Sequence, residues 1–178
     1  MQFLQNRLPH RNEIISVLGV SVFVCHSWSI RSFLNDLPSL LLYFRSSEIA
    51  VIFAYMMAVA LLESLLITAG LALAAAFLPS SWLKDGFAYK GLIFVLIGSI
   101  AAILLQKNLR YEFPSTQMLV LHSIVPLTLI AGFIVLSQVW SPLRRLLLDI
   151  QDRLSIMLYV YVPLGLISFI VVVFRNLF

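Results

Sequence analysis

Charged residues are scarce in this chain of 178 amino acids: they make up 11% of it, whereas hydrophobic residues make up 61%. A soluble domain usually carries about 25% charged and about 45–50% apolar residues. The mean hydropathy of +1.01 therefore excludes soluble globular, disordered and coiled-coil proteins. It predicts an integral membrane protein, because a chain of this length has no interior large enough to bury so much apolar surface.

Cysteine and the common catalytic motifs are also missing. Cys25 is the only cysteine, which excludes an intramolecular disulfide, a CxxC redox pair and a thiolate zinc site. The sequence has no GxSxG turn, HExxH helix, glycine-rich phosphate loop or aspartate-rich metal motif, which are the signatures of many catalytic sites. We therefore predict no catalytic residues, no metal site and no enzymatic activity.

The charge that is present is mildly basic. Twelve lysines and arginines outnumber eight acidic residues, for a formal net charge of +4. The basic residues lie singly or in pairs between apolar runs and form no stripe with interleaved aromatic residues, as nucleic-acid-binding segments do. We predict no nucleic-acid partner, since an excess of lysine and arginine is typical of the loops of membrane proteins.

Five apolar stretches are long enough to cross a bilayer as helices, which takes about 20 residues. They comprise residues 14–33, 49–78, 87–105, 118–139 and 154–174. They do not alternate polar and apolar residues as barrel strands do, so we predict an all-α bundle over residues 1–178. The first stretch is interpreted as a retained span and not as a cleaved signal peptide, because Trp28 interrupts the small-residue pattern of a cleavage site.

The connection over residues 143–153 has the pattern of an amphipathic helix. Four apolar side chains share one face: Leu143, Leu146, Leu147 and Ile150. Leu148 falls outside that face, and charged residues occupy the opposite one. Arg145–Asp149 and Asp149–Arg153 are spaced for ion pairs. The pattern predicts a helix lying in the plane of the lipid headgroups.

A second connection, over residues 36–44, resembles a helix start. Asp36 and Pro38 stand in the order that is typical of a cap followed by a proline-initiated first turn. The segment is too short to cross a bilayer. We therefore predict that it forms a separate interfacial or briefly re-entrant segment.

Lysine and arginine are slightly more numerous on one side of the predicted spans. With the amino terminus inside, seven lie on the cytoplasmic side: Arg7, Arg11, Lys84, Lys90, Arg144, Arg145 and Arg153. Five lie on the opposite side: Arg31, Arg45, Lys107, Arg110 and Arg175. Because cytoplasmic loops carry the excess of these residues, we predict a multi-pass protein of the cell membrane with its amino terminus inside.

Small residues predict where the helices pack, because they allow two backbones to approach closely in a bilayer. The second span has one row of small residues in its first half. In its second half, two further small residues share with Glu63 a face that is nearly opposite to that row. The third span has a shorter row. These residues are Ala50, Ala54, Ala58, Gly70, Ala74, Gly98 and Ala102. Small residues on two faces predict that the second span is the central helix.

Glu63 lies near the midpoint of the second span. A carboxylate at that depth is costly unless it is neutral, paired or hydrated. One interpretation is a proton relay or cation ligand that lines a polar path. The other is a hydrogen-bonded carboxyl group that orients helices or contacts a partner subunit.

His26 and His122 are predicted to lie at similar depths in the first and fourth spans. Two histidines on facing helices are the axial ligands of a b-type haem, and they could also bind a metal ion. The leading interpretation is that both only form hydrogen bonds and that the chain has no cofactor. Haem b is the alternative.

Arginines near the predicted membrane boundaries are candidates for contacts with anionic lipid headgroups. They are Arg31, Arg45, Arg144 and Arg145. Arginines at a boundary also extend towards water without binding a ligand, and that interpretation is the simpler one.

Taken together, these patterns favour a non-catalytic scaffold or accessory subunit of a membrane complex, with the bilayer and another membrane protein or a second copy as partners. A small oligomeric transporter or channel that uses Glu63 is the first alternative. A haem-bearing redox anchor that uses His26 and His122 is the second.

Overall fold

The structure is a computed structural model that describes residues 9–78, 83–109 and 115–177, which form six helices and no strand. The helices are α1 (Arg11–Tyr43), α2 (Ser46–Phe77), α3 (Phe87–Leu109), α4 (Thr116–Val139), α5 (Ser141–Ser155) and α6 (Leu158–Leu177). All except α5 are long and apolar enough to cross a membrane. The predicted all-α architecture with five candidate spans is therefore confirmed.

Acidic side chains mark the starts of the two longest helices. Glu13 accepts a hydrogen bond from the backbone N–H of His10 at 3.2 Å, and Glu48 accepts one from that of Arg45 at 2.9 Å. Each glutamate satisfies a donor that the helix itself leaves unpaired, and its charge lies near the positive end of the helix dipole. These local signals define where α1 and α2 begin.

The prediction of a separate segment over residues 36–44 is wrong, because α1 continues through Pro38 to Tyr43. A proline inside a helix removes one backbone hydrogen bond. The Ser39 hydroxyl group donates to the carbonyl oxygen of Asp36 at 2.7 Å, which adds a hydrogen bond in the same turn. Packing also holds this part of α1 against α2, since the rings of Phe33 and Phe53 lie 5.0 Å apart.

The central helix is α1 and not, as predicted, the second span. It contacts α2, α3, α5 and α6, whereas α2 contacts mainly α1 and α6. Buried hydroxyl groups connect α1 to α2: the single proton of the Thr68 hydroxyl is shared between Oγ of Ser21 across the interface, at 3.3 Å, and the carbonyl oxygen of Ser64, at 2.8 Å. Polar contacts of this kind add specificity to helix packing in lipid.

The carboxyl-terminal end of α1 and the amino-terminal end of α2 project beyond α6. Tyr55 of α2 and Asn176, in the last turn of α6, are hydrogen-bonded at 2.8–3.0 Å, so α6 ends at the level of Tyr55. Residues 34–54 therefore form a helical hairpin that extends roughly 15 Å further, at 1.5 Å per residue. The tip of this projecting hairpin exposes Leu42 and Tyr43, which are 79% and 81% accessible.

The amphipathic helix α5 packs against α1, α3 and α4. Its inner face contains the buried residues Leu147 and Gln151, and Leu148 packs beside them against the core. Leu146, predicted on the apolar face, is instead 54% exposed. The buried face of α5 is thus rotated about the helix axis relative to the predicted one. The reason is that α5 packs against both α1 and α3, and Leu148 belongs to the face that contacts them. On its outer face, the predicted ion pair of Arg153 with Asp149 forms at 3.2 Å.

The closest helix crossings occur at glycines that the small-residue rows did not indicate. A Cβ atom built on Gly19 would lie 2.7 Å from Cα of Ser155, and one built on Gly91 would lie 2.5 Å from a methyl group of Val17. Real side chains do not approach this closely. Gly19 and Gly91 therefore let α1 pack directly on α5 and α3.

The predicted packing residues have mixed positions. Ala54 and Ala58 are buried in the face of α2 that packs on its neighbours. Ala74 is half-buried, and Ala50 and Ala102 are exposed. Gly70 and Gly98 face open space, since a Cβ atom built on either would have nothing within 4 Å. The second small-residue face of α2 therefore has no partner within the described chain.

Candidate functional site

Glu63 lies on the surface of α2, near the middle of this membrane-spanning helix. Its side chain is exposed, and it lines a cleft of about 310 Å³ between α1 and α2. The α1 wall of this cleft contains Trp28, Ser29 and Ser32. Within the described residues, Glu63 accepts no hydrogen bond and forms no ion pair.

Glu63 belongs to a stripe of exposed residues on α2 that we call the open face. At intervals of three and four residues, this face contains Val59, Glu63, Leu66, Gly70, Leu73 and Phe77. Leu66 is 72% accessible, and the space above Gly70 is empty. The buried residues of α2 lie on the other side of the helix, where α1 and α6 pack.

A second cleft, the outer cleft, lies between the carboxyl-terminal parts of α1 and α3. Its volume is about 370 Å³, and it is lined by Trp28, Arg31, Ser32, Asn35, Asp36, Ile103, Gln106 and Lys107. Trp28 and Ser32 line both clefts. The Glu63 cleft is therefore adjacent to a polar opening at the end of the bundle where the projecting hairpin begins.

Sequence reasoning identified Arg31 but missed Lys107 and Gln106 in the outer cleft. The side chain of Arg31 is oriented by Trp28, since its guanidinium carbon lies 5.9 Å from the centre of the indole ring. The signal that could have revealed the other two is their position at the end of the third span, at the depth of Arg31. The amide of Gln106 and the cation of Lys107 lie beside the polar residues at the end of the first span.

His26 is completely buried where α1 meets α2 and α6. Its Nδ1 atom hydrogen-bonds the carbonyl oxygen of Val22 at 2.9 Å, and its ring stacks on Tyr161 with a centroid separation of 5.2 Å. Nε2 has no hydrogen-bond partner within the described chain. It points at Gly165 of α6, where an added Cβ atom would lie 3.1 Å away.

His122 has different neighbours. Its Nδ1 atom lies 2.9 Å from the carbonyl oxygen of Met118, and the residue lines an apolar cleft of about 230 Å³ between α3 and α4. Because α1 and α4 have no substantial contact, the structure does not bring His26 and His122 together as a facing pair. These two residues therefore do not form the geometry of a bis-histidine haem site.

The described residues also contain no group of three or more histidine, cysteine, aspartate or glutamate side chains that could hold a metal ion. Cys25 is buried as a free thiol. The remaining predicted arginines have no common site. Arg45 is exposed at the start of α2, Arg145 is exposed on α5, and the guanidinium carbon of Arg144 lies 5.2 Å from the centre of the Tyr89 ring.

Comparisons with protein-family models, with curated proteins and with solved structures find no match to this chain. The geometry of its own side chains is therefore the guide to its function.

Proposed function

We propose that this protein is a non-catalytic accessory subunit of a membrane complex, and that the open face of α2 binds a membrane-spanning helix of a different protein. The observation that supports this is the exposure of Glu63 at mid-helix. A carboxyl group facing hydrocarbon costs several kcal/mol. A hydrogen-bond donor or a cation on the partner helix would remove that cost.

Gly70 supports the same proposal. Two turns along the helix from Glu63, it leaves the backbone of α2 uncovered, and small residues are where spanning helices approach one another most closely. The flanking residues Leu66 and Leu73 are exposed and supply apolar contact area. A second copy of this chain is a poorer occupant, because a twofold contact would bring two Glu63 carboxyl groups together.

The test is affinity purification of tagged protein from its native membranes in mild detergent. We expect Gly70→Leu to reduce recovery of the partner at least about tenfold, because leucine fills the space that the partner helix needs. Glu63→Ala should reduce it by about 3- to 20-fold, the range expected for one polar contact between spanning helices. The matched control is Gly132→Leu, since Gly132 on α4 is equally open.

A photo-crosslinking residue at Leu66 identifies the occupant directly. An adduct with a spanning helix of another protein, next to a polar side chain of that helix, supports the proposal. An adduct with a second copy, an adduct with lipid alone, or partner recovery that survives Gly70→Leu contradicts it.

The adjacency of the two clefts favours a second function, a small oligomeric transporter or channel. A polar path would lead from Arg31, Asn35 and Lys107 through Ser32 to Glu63. Flux of protons or monovalent cations into liposomes containing the purified protein tests it. Flux that Glu63→Gln abolishes supports this function, whereas unchanged flux removes the carboxylate from the path.

We also propose that the protein lies in the cell membrane with its amino terminus in the cytoplasm. Support comes from the seven-to-five distribution of lysine and arginine, of which Arg7 and Arg110 lie outside the described residues. Cys25 is buried, so single added cysteines can report sidedness. We expect an impermeant maleimide to label Ser47→Cys in intact cells and Ser141→Cys only after permeabilisation. The reverse pattern would invert the orientation.

A further inference from the structure

The outer cleft combines two cations with neutral polar groups at the membrane boundary. Lys107 is the last residue of the apolar segment of α3, and Arg31 lies opposite it on α1. Asn35 and Gln106 add amide groups to the same cleft. These are side chains that donate hydrogen bonds to phosphate oxygens.

The charges in this cleft are not neutralised by ion pairs. Within the described part of the chain, neither Arg31 nor Lys107 forms an ion pair. Asp36 is the one carboxylate among the cleft residues, so two cations and one anion leave a formal charge of +1. The Trp28 ring lies beside the Arg31 guanidinium group and restricts where it can move.

Apolar surface continues below the cleft on α3. Ile103 forms part of the wall, and Ile100 and Leu104 of the same helix are exposed and line the neighbouring apolar cleft between α3 and α4. A molecule with a phosphate group at one end and a hydrocarbon chain at the other would therefore meet matching surface along its whole length.

We propose that the outer cleft binds the phosphate group of an anionic phospholipid. Arg31 can donate two parallel hydrogen bonds to phosphate oxygens, and Lys107 supplies a compact positive charge. Ser32 and Gln106 bind the remaining headgroup oxygens, while the acyl chains lie along Ile100 and Leu104. This site does not depend on the proposed docking of a partner helix.

The experiment is a titration of the delipidated protein with phosphatidylglycerol, with phosphatidylcholine as the uncharged comparison, followed by native mass spectrometry. We expect tighter binding of phosphatidylglycerol. Arg31→Gln and Lys107→Gln should each weaken it about fivefold, and the double variant about 20-fold, since a cation near anionic lipid contributes about that factor. Arg45→Gln, which removes a cation at the same end but outside the cleft, should change it less than twofold.

Asp36→Asn is expected to change the affinity for phosphatidylglycerol in the opposite direction. Removing the only carboxylate from the cleft should strengthen phosphatidylglycerol binding about threefold, which a general loss of structure would not do. Equal binding of both lipids, or equal effects of Arg45→Gln and Arg31→Gln, would overturn the proposal. Inorganic phosphate that competes with the lipid at millimolar concentration would reassign the cleft to a free anion.

Discussion

Replacing Gly19 with valine is expected to destabilise the folded protein by about 3 kcal/mol or more. The Cα atom of Ser155 lies 2.7 Å from the position of an added Cβ, and a backbone atom cannot move aside as the end of a flexible side chain can. Forcing extra methyl groups into a packed contact typically costs about 1–3 kcal/mol. Here α1 and α5 would have to move apart where they cross.

Unfolding by increasing fractions of SDS in mixed micelles, followed by tryptophan fluorescence, measures this change. Gly132→Val is the matched control, because Gly132 also lies inside a helix but has nothing within 4 Å of an added Cβ. Both variants replace glycine with valine inside a helix, so the change in helix propensity is common to both. Equal midpoints for the two variants would show that α1 and α5 do not meet closely at Gly19.

Replacing Gln151 with methionine is expected to stabilise the protein, by about 1–2 kcal/mol. Gln151 is 1% accessible, and neither its Nε2 nor its Oε1 atom has a hydrogen-bond partner within the described residues. A buried donor or acceptor without a partner costs about 1–3 kcal/mol. Methionine has nearly the same shape and fills the same space without polar atoms.

The same SDS titration measures this gain, with Gln117→Met as the control because Gln117 is exposed near the start of α4. An exposed substitution of this kind should change stability by less than about 0.5 kcal/mol. A loss of stability in Gln151→Met would show that the buried amide group does form hydrogen bonds, and that α5 depends on them.

The positions of the spans could be predicted because hydropathy is a property of the local sequence. The second stretch, predicted over residues 49–78, corresponds to α2 (Ser46–Phe77) within three residues at each end. The end of α1 could not be predicted in this way. Whether a helix continues through Pro38 depends on the packing of Phe33 against Phe53, and those residues come from two different helices.

Pairwise packing was harder still to predict. Small residues permit close contact but do not identify the partner: Ala54 and Ala58 are buried, whereas Ala50 of the same row is exposed and Gly70 and Gly98 are uncovered. Gly19 stands alone in its part of the sequence. Only the fold brings it to Ser155, which is why it had no recognisable signal.

For the candidate site, the sequence indicates how far along the helix Glu63 lies but not which face of the helix it occupies. The position of Glu63 near mid-span follows from the sequence, whereas its exposure on the open face depends on where α1 and α6 pack around α2. The outer cleft could not be predicted as a unit, because Arg31 and Lys107 are brought together only when α1 and α3 cross.

The unequal lengths of the helices have a consequence for how far the molecule extends from the bilayer. Residues 34–54 carry α1 and α2 beyond α6, so one flank of the molecule presents helices of about 50 Å and another presents helices of about 30 Å. Since Arg31 and Lys107 lie at the membrane boundary and at the base of this hairpin, the extra length extends past the hydrocarbon layer, and no lipid has to stretch to cover it. Its tip should then stand clear of the hydrocarbon layer, which brings the exposed Leu42 and Tyr43 within reach of molecules in the surrounding water.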